Sequence, residues 1–271
     1  MYYIIILVII ILYLSYPKVK EFYFSYHRKK TLKKFEDLCF KIKLNMNIEE
    51  SMKILKNKID HRYSVELHRK VPGTGIMDPV PVLDILEELQ KNFKPDNNLV
   101  ETAKQLSREG VVDEFVYSSH PIIPYEKIYI GFGTTQNYGY VLEKKNKEYS
   151  KRTYISNIVF DLRSIFPIDI AEKLHFLIPD KVLNPKHIYK YKEGKDKPMT
   201  CYARIDTIYK VEHIMEIFIK ILELFENKKE IIEQASEYMD KFNGKDCNWI
   251  GLTNDNGSYS ATIYYDSIFS T

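Results

Sequence analysis

Cysteine is scarce in this chain, and no sequence motif identifies a reaction. The three cysteines, Cys39, Cys201 and Cys247, are too few and too widely spaced for a disulfide framework or a cysteine-rich zinc site. Neither sign of charge dominates, since 40 Lys and Arg stand against 37 Asp and Glu. With 45% hydrophobic residues in 271, this composition excludes disordered, collagen-like and polytopic membrane classes. It predicts a globular protein of one or two domains.

Long hydrophobic runs are absent except at the N-terminus, where residues 2–16 carry no charge. As a helix this run would span roughly 23 Å, which is short for a membrane-spanning segment. A signal-peptide core and a buried core segment are the alternatives. However, no Lys or Arg precedes the run, and small residues are missing from the cleavage positions. We therefore predict an uncleaved transmembrane anchor over residues 1–17.

Positive charge is concentrated directly after this run. Residues 18–70 carry a net charge of +8, and residues 71–271 carry −5. By the positive-inside rule, this asymmetry predicts a single-pass membrane protein whose C-terminal domain, residues 46–271, faces the cytosol. We expect residues 18–45 to form a basic, amphipathic juxtamembrane segment that lies against anionic lipid. Because the anchor already explains the basic residues, a nucleic-acid partner is not favoured, and nothing identifies a protein partner.

The domain divides into two parts by its patterning. Residues 46–126 are predicted to be rich in helices, which begin at Asn47, after Asp78 and at Asp96. Residues 127–271 read as hairpin, helix, hairpin, helix and hairpin, and Asn256-Gly257 is a strong signal for the last turn. We therefore predict an α+β fold: an N-terminal transmembrane helix, then helices and a mainly antiparallel sheet with helices on one face. Whether the sheet is open or curves like a barrel is left undecided.

Alternation with period two sorts each predicted strand into an apolar and a polar side. Cys201 and Ile205 fall on an apolar side and should be buried against a helix. The polar sides carry tyrosines and basic residues, of which five are candidate ligand-binding residues: Lys127, Tyr129, Tyr202, Arg204 and Tyr264. These sides are either solvated, as in many antiparallel sheets, or they line a cleft. In a cleft, Arg204 would bind phosphate or carboxylate oxygens, and tyrosine rings would cover an apolar or cationic group.

An antiparallel sheet with outer helices and an interior lined by Tyr, Arg and Lys resembles the aromatic prenyltransferase barrels. That family binds an isoprenyl diphosphate in such an interior. The resemblance concerns the architecture of the C-terminal half, in which fewer strands are predicted than the family has. It rests on no shared motif and implies no particular catalytic residue.

Two functions remain open at this point. The first is a membrane-anchored enzyme or ligand-binding domain that acts on a phosphorylated or lipid-like substrate, such as an isoprenyl diphosphate, through the tyrosine-rich face. The second is a non-catalytic, membrane-anchored interaction or structural protein. The residues do not decide whether the chain is an enzyme, and no motif identifies a cofactor. No metal site is expected, because the Glu172…His175 spacing lacks the second copy that a di-iron helix pair needs.

Overall fold

Most of the chain folds into antiparallel strands that follow one another as hairpins. The computed structural model describes residues 45–70, 77–119, 125–132, 137–156, 161–206 and 208–266, together with helical residues between 26 and 42. The strands of these regions are β1 (Asn45–Leu55), β2 (Lys58–Lys70), β3 (Met77–Asp78), β4 (Glu114–Ser119), β5 (Tyr125–Gly131), β6 (Tyr138–Lys145), β7 (Glu148–Ser156), β8 (Leu183–Lys192), β9 (Pro198–Ile205), β10 (Cys247–Asp255) and β11 (Ser258–Asp266). The helices that follow or separate them are α1 (Val82–Asn92), α2 (Asn97–Leu106), α3 (Ile168–Leu177), α4 (Val211–Leu224) and α5 (Lys229–Met239).

The strands form a curved sheet whose pairings return to their starting point. Strands β4 to β11 pair with their sequence neighbours, β2 pairs with β4, and β1 pairs with both β2 and β11. Ten antiparallel strands therefore make a closed ring, to which the short β3 adds at the end of β2. Closure gives the sheet an interior face and an outer face, and it leaves these ten strands without an unpaired edge.

The helices pack on the outer face, over two separate hydrophobic cores. One core joins α3, α4 and α5 to strands β8 to β11 and β1, and Phe218, Ile205 and Ile263 are almost fully buried in it. The other core joins α1 and α2 to strands β4, β5 and β6. As predicted, Cys201 and Ile205 are each 1% exposed on the helix-covered face of β9.

Several local predictions are confirmed by the structure. The Asn256-Gly257 turn has φ angles of 55° and 85°, which match the two left-handed residues of a tight hairpin turn. Helix α2 begins after Asp96, whose carboxylate accepts a hydrogen bond from the backbone N–H of Asn98 at 2.9 Å. The helix predicted between the last two hairpins is interrupted, since Glu226 adopts a φ of 54° between α4 and α5.

The prediction of an antiparallel sheet is confirmed, but the predicted fold class as a whole is wrong. The helix expected from Asn47 is strand β1, and residues 46–126 hold three long strands rather than mainly helices. The misreading has a simple cause: apolar residues four apart, such as Ile48 and Met52, share a face in a strand as well as in a helix. The alternate residues Met52 and Ile54 are both fully buried in the first core, as a strand with one face on that core requires.

The predictions of an N-terminal transmembrane helix and of a single-pass membrane protein are also corrected. In the part of the chain that the structure describes, no helix is long and apolar enough to cross a membrane. Its longest helix with defined bounds, α4, has 14 residues, against about 20 apolar residues for a membrane span. Residues 2–16 lie outside the described residues.

The basic segment predicted at residues 18–45 is described only in part, and that part packs on the domain. Leu38 is fully buried in the second core beside α1. The Lys34 ammonium donates to the backbone carbonyl of Asn92 at 2.6 Å, and Lys41 pairs with Glu88 at 3.2 Å. These contacts fix the segment against helix α1.

Candidate functional site

The interior face of the closed sheet is polar and aromatic. On β9, Cys201, Ala203 and Ile205 point to the outer helices, so Tyr202 and Arg204 point inward. Residues that pair across neighbouring strands lie on the same face, so the strand register identifies the inward-pointing residues of the other strands. Its larger interior members are Lys53, Lys127, Tyr129, Val141, Glu143, Arg152, Tyr154, Lys190, Tyr202, Arg204, Trp249 and Tyr264.

Four interior tyrosines form a continuous row across alternate strands. The ring centroids of Tyr129 and Tyr154 are 5.5 Å apart, those of Tyr154 and Tyr202 are 5.6 Å apart, and those of Tyr202 and Tyr264 are 6.0 Å apart. These residues come from β5, β7, β9 and β11. We call them the tyrosine row. Aromatic rings at these separations attract one another and present their faces and edges to the enclosed space.

Two hydroxyls of this row, those of Tyr154 and Tyr202, are held in the neutral form. The Tyr154 and Tyr202 oxygens are 3.5 Å apart. Burial raises the pKa of both phenols, and for Tyr154 the neighbouring Tyr202 and Tyr264 raise it further. At neutral pH these groups therefore carry protons that they can donate to an anionic ligand.

Lys190 lies on β8, between Tyr154 on β7 and Tyr202 on β9. Its Nζ is 6.0 Å from each ring centroid and donates to the Tyr202 hydroxyl at 3.4 Å. Burial lowers the pKa of Lys190 well below its ordinary value, and the charges of Arg152, Lys53 and Lys127 lower it further. The interior thus places positive charge from three other strands around this half-buried amine.

Arg152 forms an ion pair with a carboxylate on the interior face. Its Nη1 donates to Glu143 Oε2 at 2.6 Å, and both side chains are largely buried. The Nε of the same guanidinium is buried and has no hydrogen-bond partner among the residues that the structure describes. A buried donor of this kind is costly unless a ligand or a water satisfies it.

Arg204 occupies a different part of the interior face. Its guanidinium carbon is 6.0 Å from the ring centroid of Trp249, which faces it across the β9–β10 pair. Among the described residues, no hydrogen bond or ion pair to the Arg204 guanidinium is found. Because a guanidinium presents a planar fork of donors, it is suited to carboxylate or phosphate oxygens.

Small hydroxyl side chains complete the interior face. Thr200 and Thr253 face each other across the β9–β10 pair, with their Oγ1 atoms 3.0 Å apart. Ser260 and Thr262 on β11 and Ser51 on β1 are buried as well. A polar lining of this composition is suited to a ligand with hydrogen-bonding groups and is poorly suited to a purely apolar one.

All five sequence-predicted site residues lie on the interior face. Tyr129, Tyr202 and Tyr264 belong to the tyrosine row, Lys127 contributes to the charge around Lys190, and Arg204 lies beside Trp249. Their role in ligand binding stays a prediction.

Sequence reasoning missed Tyr154, Lys190, Arg152, Glu143 and Trp249. The alternation Arg152-Thr153-Tyr154 carried a signal for two of them. The strand of Lys190 has its tyrosines, Tyr189 and Tyr191, on the outer side, so on this strand tyrosine does not mark the interior face.

No group of three or more His, Cys, Asp or Glu side chains that could hold a metal ion occurs in the described regions.

Comparison with known proteins gives the fold a precedent. No protein-family model and no curated protein match the chain. Among solved structures, NotF prenyltransferase is similar with a TM-score of 0.53 and 11% identity, over 82% of this chain and 80% of that one. AnaPT from Neosartorya fischeri gives 0.50 and 11%, over 81% and 77%. NotF in complex with brevianamide F and DMSPP gives 0.51 and 11%, over 82% and 80%. At this identity the similarity establishes the fold alone, so the chain shares the architecture of these proteins.

Proposed function

We propose that this protein binds an isoprenyl diphosphate inside the closed sheet and transfers the prenyl group to a second small molecule. One observation carries the proposal: a half-buried lysine, Lys190, lies between two tyrosine rings, with Arg152, Lys53 and Lys127 adding positive charge around it. This arrangement pairs an anion-binding group with aromatic faces, and an allylic diphosphate has one part suited to each.

The basic residues would bind the diphosphate. In the empty interior their mutual repulsion and burial are unfavourable, as the lowered pKa of Lys190 indicates. A ligand with two or more negative charges would relieve this repulsion and would give the Arg152 Nε a hydrogen-bond acceptor. The Tyr154 hydroxyl would donate to one of the remaining oxygens, whereas the Tyr202 hydroxyl accepts from Lys190.

The tyrosine row would face the prenyl group. When the bond between the allylic carbon and the diphosphate oxygen breaks, positive charge develops on the allylic fragment. The faces of aromatic rings attract such a charge and cannot add to it as water would. The diphosphate departs with the bonding electrons, a new bond forms to the acceptor, and the acceptor loses a proton.

The structural comparisons support this proposal at the level of the fold. NotF and AnaPT are similar over about four-fifths of this chain. NotF is a prenyltransferase, and one NotF structure contains brevianamide F and DMSPP. The electrostatics of this chain's own interior make the proposal specific, because the similarity alone establishes only the fold.

A thermal-shift and calorimetry experiment tests the diphosphate part. The full-length protein is titrated with inorganic diphosphate, dimethylallyl diphosphate and sulfate. We expect both diphosphates to raise Tm and sulfate to act weakly, and we expect Lys190→Gln to weaken diphosphate binding by roughly ten- to a hundredfold. Lys195→Gln is the matched control, because Lys195 is exposed and lies in the turn between β8 and β9.

Substitutions of Arg204 test whether this residue binds the same diphosphate as Lys190 or a different anionic group. If Arg204→Ala lowers the affinity for dimethylallyl diphosphate as much as Lys190→Gln does, the two cations bind the same ligand. Arg204→Lys should recover little of the loss, because a point charge replaces a two-donor fork. If no diphosphate stabilises the wild-type protein, the proposal fails and a non-catalytic interaction protein becomes the better account.

A further inference from the structure

The interior tyrosines lie against glycines of the neighbouring strands. In the register, Tyr154 faces Gly139 across the β6–β7 pair, and Tyr202 faces Gly251 across the β9–β10 pair. A Cβ atom on Gly251 would lie 2.9 Å from Cε1 and 3.0 Å from Cδ1 of Tyr202. A Cβ atom on Gly139 would lie 2.7 Å from Cε2 of Tyr129. Each of these distances is shorter than a van der Waals contact.

Backbone conformation is not the reason for glycine at these two positions. The glycines with positive φ among the described residues are Gly194, Gly244 and Gly257, all in or near turns. Gly139 and Gly251 lie within strands, where glycine weakens a sheet and marks a close approach. Here the close approach is made by the tyrosine rings, which occupy the space where side chains would otherwise lie.

This arrangement affects the size of the interior. Because the Tyr202 ring leans across the backbone of β10, it projects less toward the centre of the ring of strands. A methyl group at residue 251 would push that ring inward, since the ring can move and the backbone of β10 is held by two neighbouring strands. The space beside the tyrosine row would then shrink.

We propose that Gly251, acting through the position of the Tyr202 ring, determines the length of prenyl chain that the interior accepts. This inference rests on the proposed function and makes it more specific. Gly251 is a positioning residue: it contacts the ring that faces the ligand and makes no ligand contact of its own. Its predicted effect is therefore on the discrimination between prenyl chains, while the binding of the diphosphate is left unchanged.

Gly251 is a better test position than Gly139. At Gly139 an added Cβ would lie 2.7 Å from the backbone carbonyl oxygen of Ile130, which cannot yield without disturbing the sheet. At Gly251 the two closest atoms belong to a side-chain ring, and the third, Cβ of Thr262, is 3.5 Å away. We therefore expect Gly251→Ala to fold.

The experiment measures the affinities of the full-length protein for inorganic, dimethylallyl and geranyl diphosphate. We expect Gly251→Ala to leave inorganic diphosphate binding unchanged and to weaken geranyl diphosphate about tenfold more than dimethylallyl diphosphate, since inserting a methyl group into a filled space typically costs this much. Gly244→Ala is the control for a general loss of stability, because residue 244 has a φ of 83° and has no atom within 4 Å of the added Cβ.

A double substitution separates the ring from the glycine. In Tyr202→Ala the ring is absent, so adding Gly251→Ala should change the geranyl-to-dimethylallyl ratio no further. If wild-type protein excludes geranyl diphosphate, Tyr202→Ala must admit it. An unchanged ratio in Gly251→Ala, or an equal loss for both prenyl ligands, would overturn the inference and leave the proposed function intact. Failure of the wild type to bind any diphosphate would instead overturn the proposed function.

Discussion

The half-buried ammonium group of Lys190 is influenced by three cations and by one carboxylate, that of Glu143. Burial, then Arg152, Lys53 and Lys127, lower its pKa, and Glu143 offsets this only in part. Such a residue stores an unfavourable interaction that a bound anion can relieve. Binding sites are commonly less stable than the fold requires for this reason.

Replacing Lys190 should therefore stabilise the empty protein. We expect Lys190→Gln to raise the free energy of unfolding by about 0.5–2 kcal/mol near neutral pH. The native lysine has a lower pKa than the unfolded one, so the native state binds fewer protons between the two values, and wild-type stability rises with pH there. The advantage of the variant should therefore shrink as the pH approaches 10.5. Urea denaturation at several pH values checks this, and a variant less stable than wild type would contradict it.

Ligand binding should also be coupled to a proton. A diphosphate next to Lys190 favours its charged form, so the bound lysine has a higher pKa than the free one, and complex formation takes up a proton between these values. Affinity should fall as the pH rises through that interval. Calorimetric titration of dimethylallyl diphosphate in two buffers of different ionisation enthalpy measures this uptake. In Lys190→Gln, the part of the proton uptake that is due to the lysine should be absent. Equal proton uptake in the variant and the wild type would show that another group accepts the proton.

At the scale of the strand, alternation in the sequence predicted both faces of β9 correctly. Hairpins with strong turn signals, such as the one around Asn256-Gly257, were predicted close to their observed positions. Strand β1 was not predicted, because its apolar spacing fits a helix equally well. One of its two pairing partners, β2, follows it directly, but the other, β11, lies at the far end of the described chain. Local pattern contains no information about such a distant partner.

The same limit applies to the candidate site. Alternation alone placed Tyr202 and Arg204 on one side and Cys201 on the other. It could not show that Tyr154 and Lys190 stand beside Tyr202, since that neighbourhood depends on the register of β7 and β8 against β9. Nor could it show that the polar face is enclosed, because enclosure follows from the pairing of β1 with both β2 and β11.

The outer face of β9 permits a stringent test of this assignment. Ile205 is 1% exposed within the first core, so Ile205→Asp would bury an unpaired carboxylate and should cost at least about 3 kcal/mol, a large fraction of the stability of an ordinary domain. Ile208→Asp is the matched control, because Ile208 is 69% exposed. Far-UV circular dichroism and Tm compare the two variants. Retention of the wild-type Tm by Ile205→Asp would show that the faces of β9 are reversed.

At the scale of the whole molecule, one closed sheet links two hydrophobic cores that share no helix. Helices α1 and α2 cover β4, β5 and β6, and helices α3, α4 and α5 cover the opposite part of the ring. In an open sheet, two such cores could unfold separately. In a ring, opening one side exposes the strand edges of the other, so we expect the two cores to unfold together.

The single tryptophan makes this cooperativity measurable. Trp249 lies on the interior face of β10, the strand whose outer face packs in the first core. Leu86 on α1 is fully buried in the second core. Leu86→Ala should lower the free energy of unfolding by about 2–5 kcal/mol. Because the ring unfolds as a unit, the Trp249 fluorescence transition should shift to lower urea by the same amount as the circular dichroism transition. Leu83→Ala, on the same helix but 55% exposed, should shift neither appreciably. A circular dichroism transition that moves while the Trp249 transition stays in place would show that the two halves of the closed sheet unfold independently.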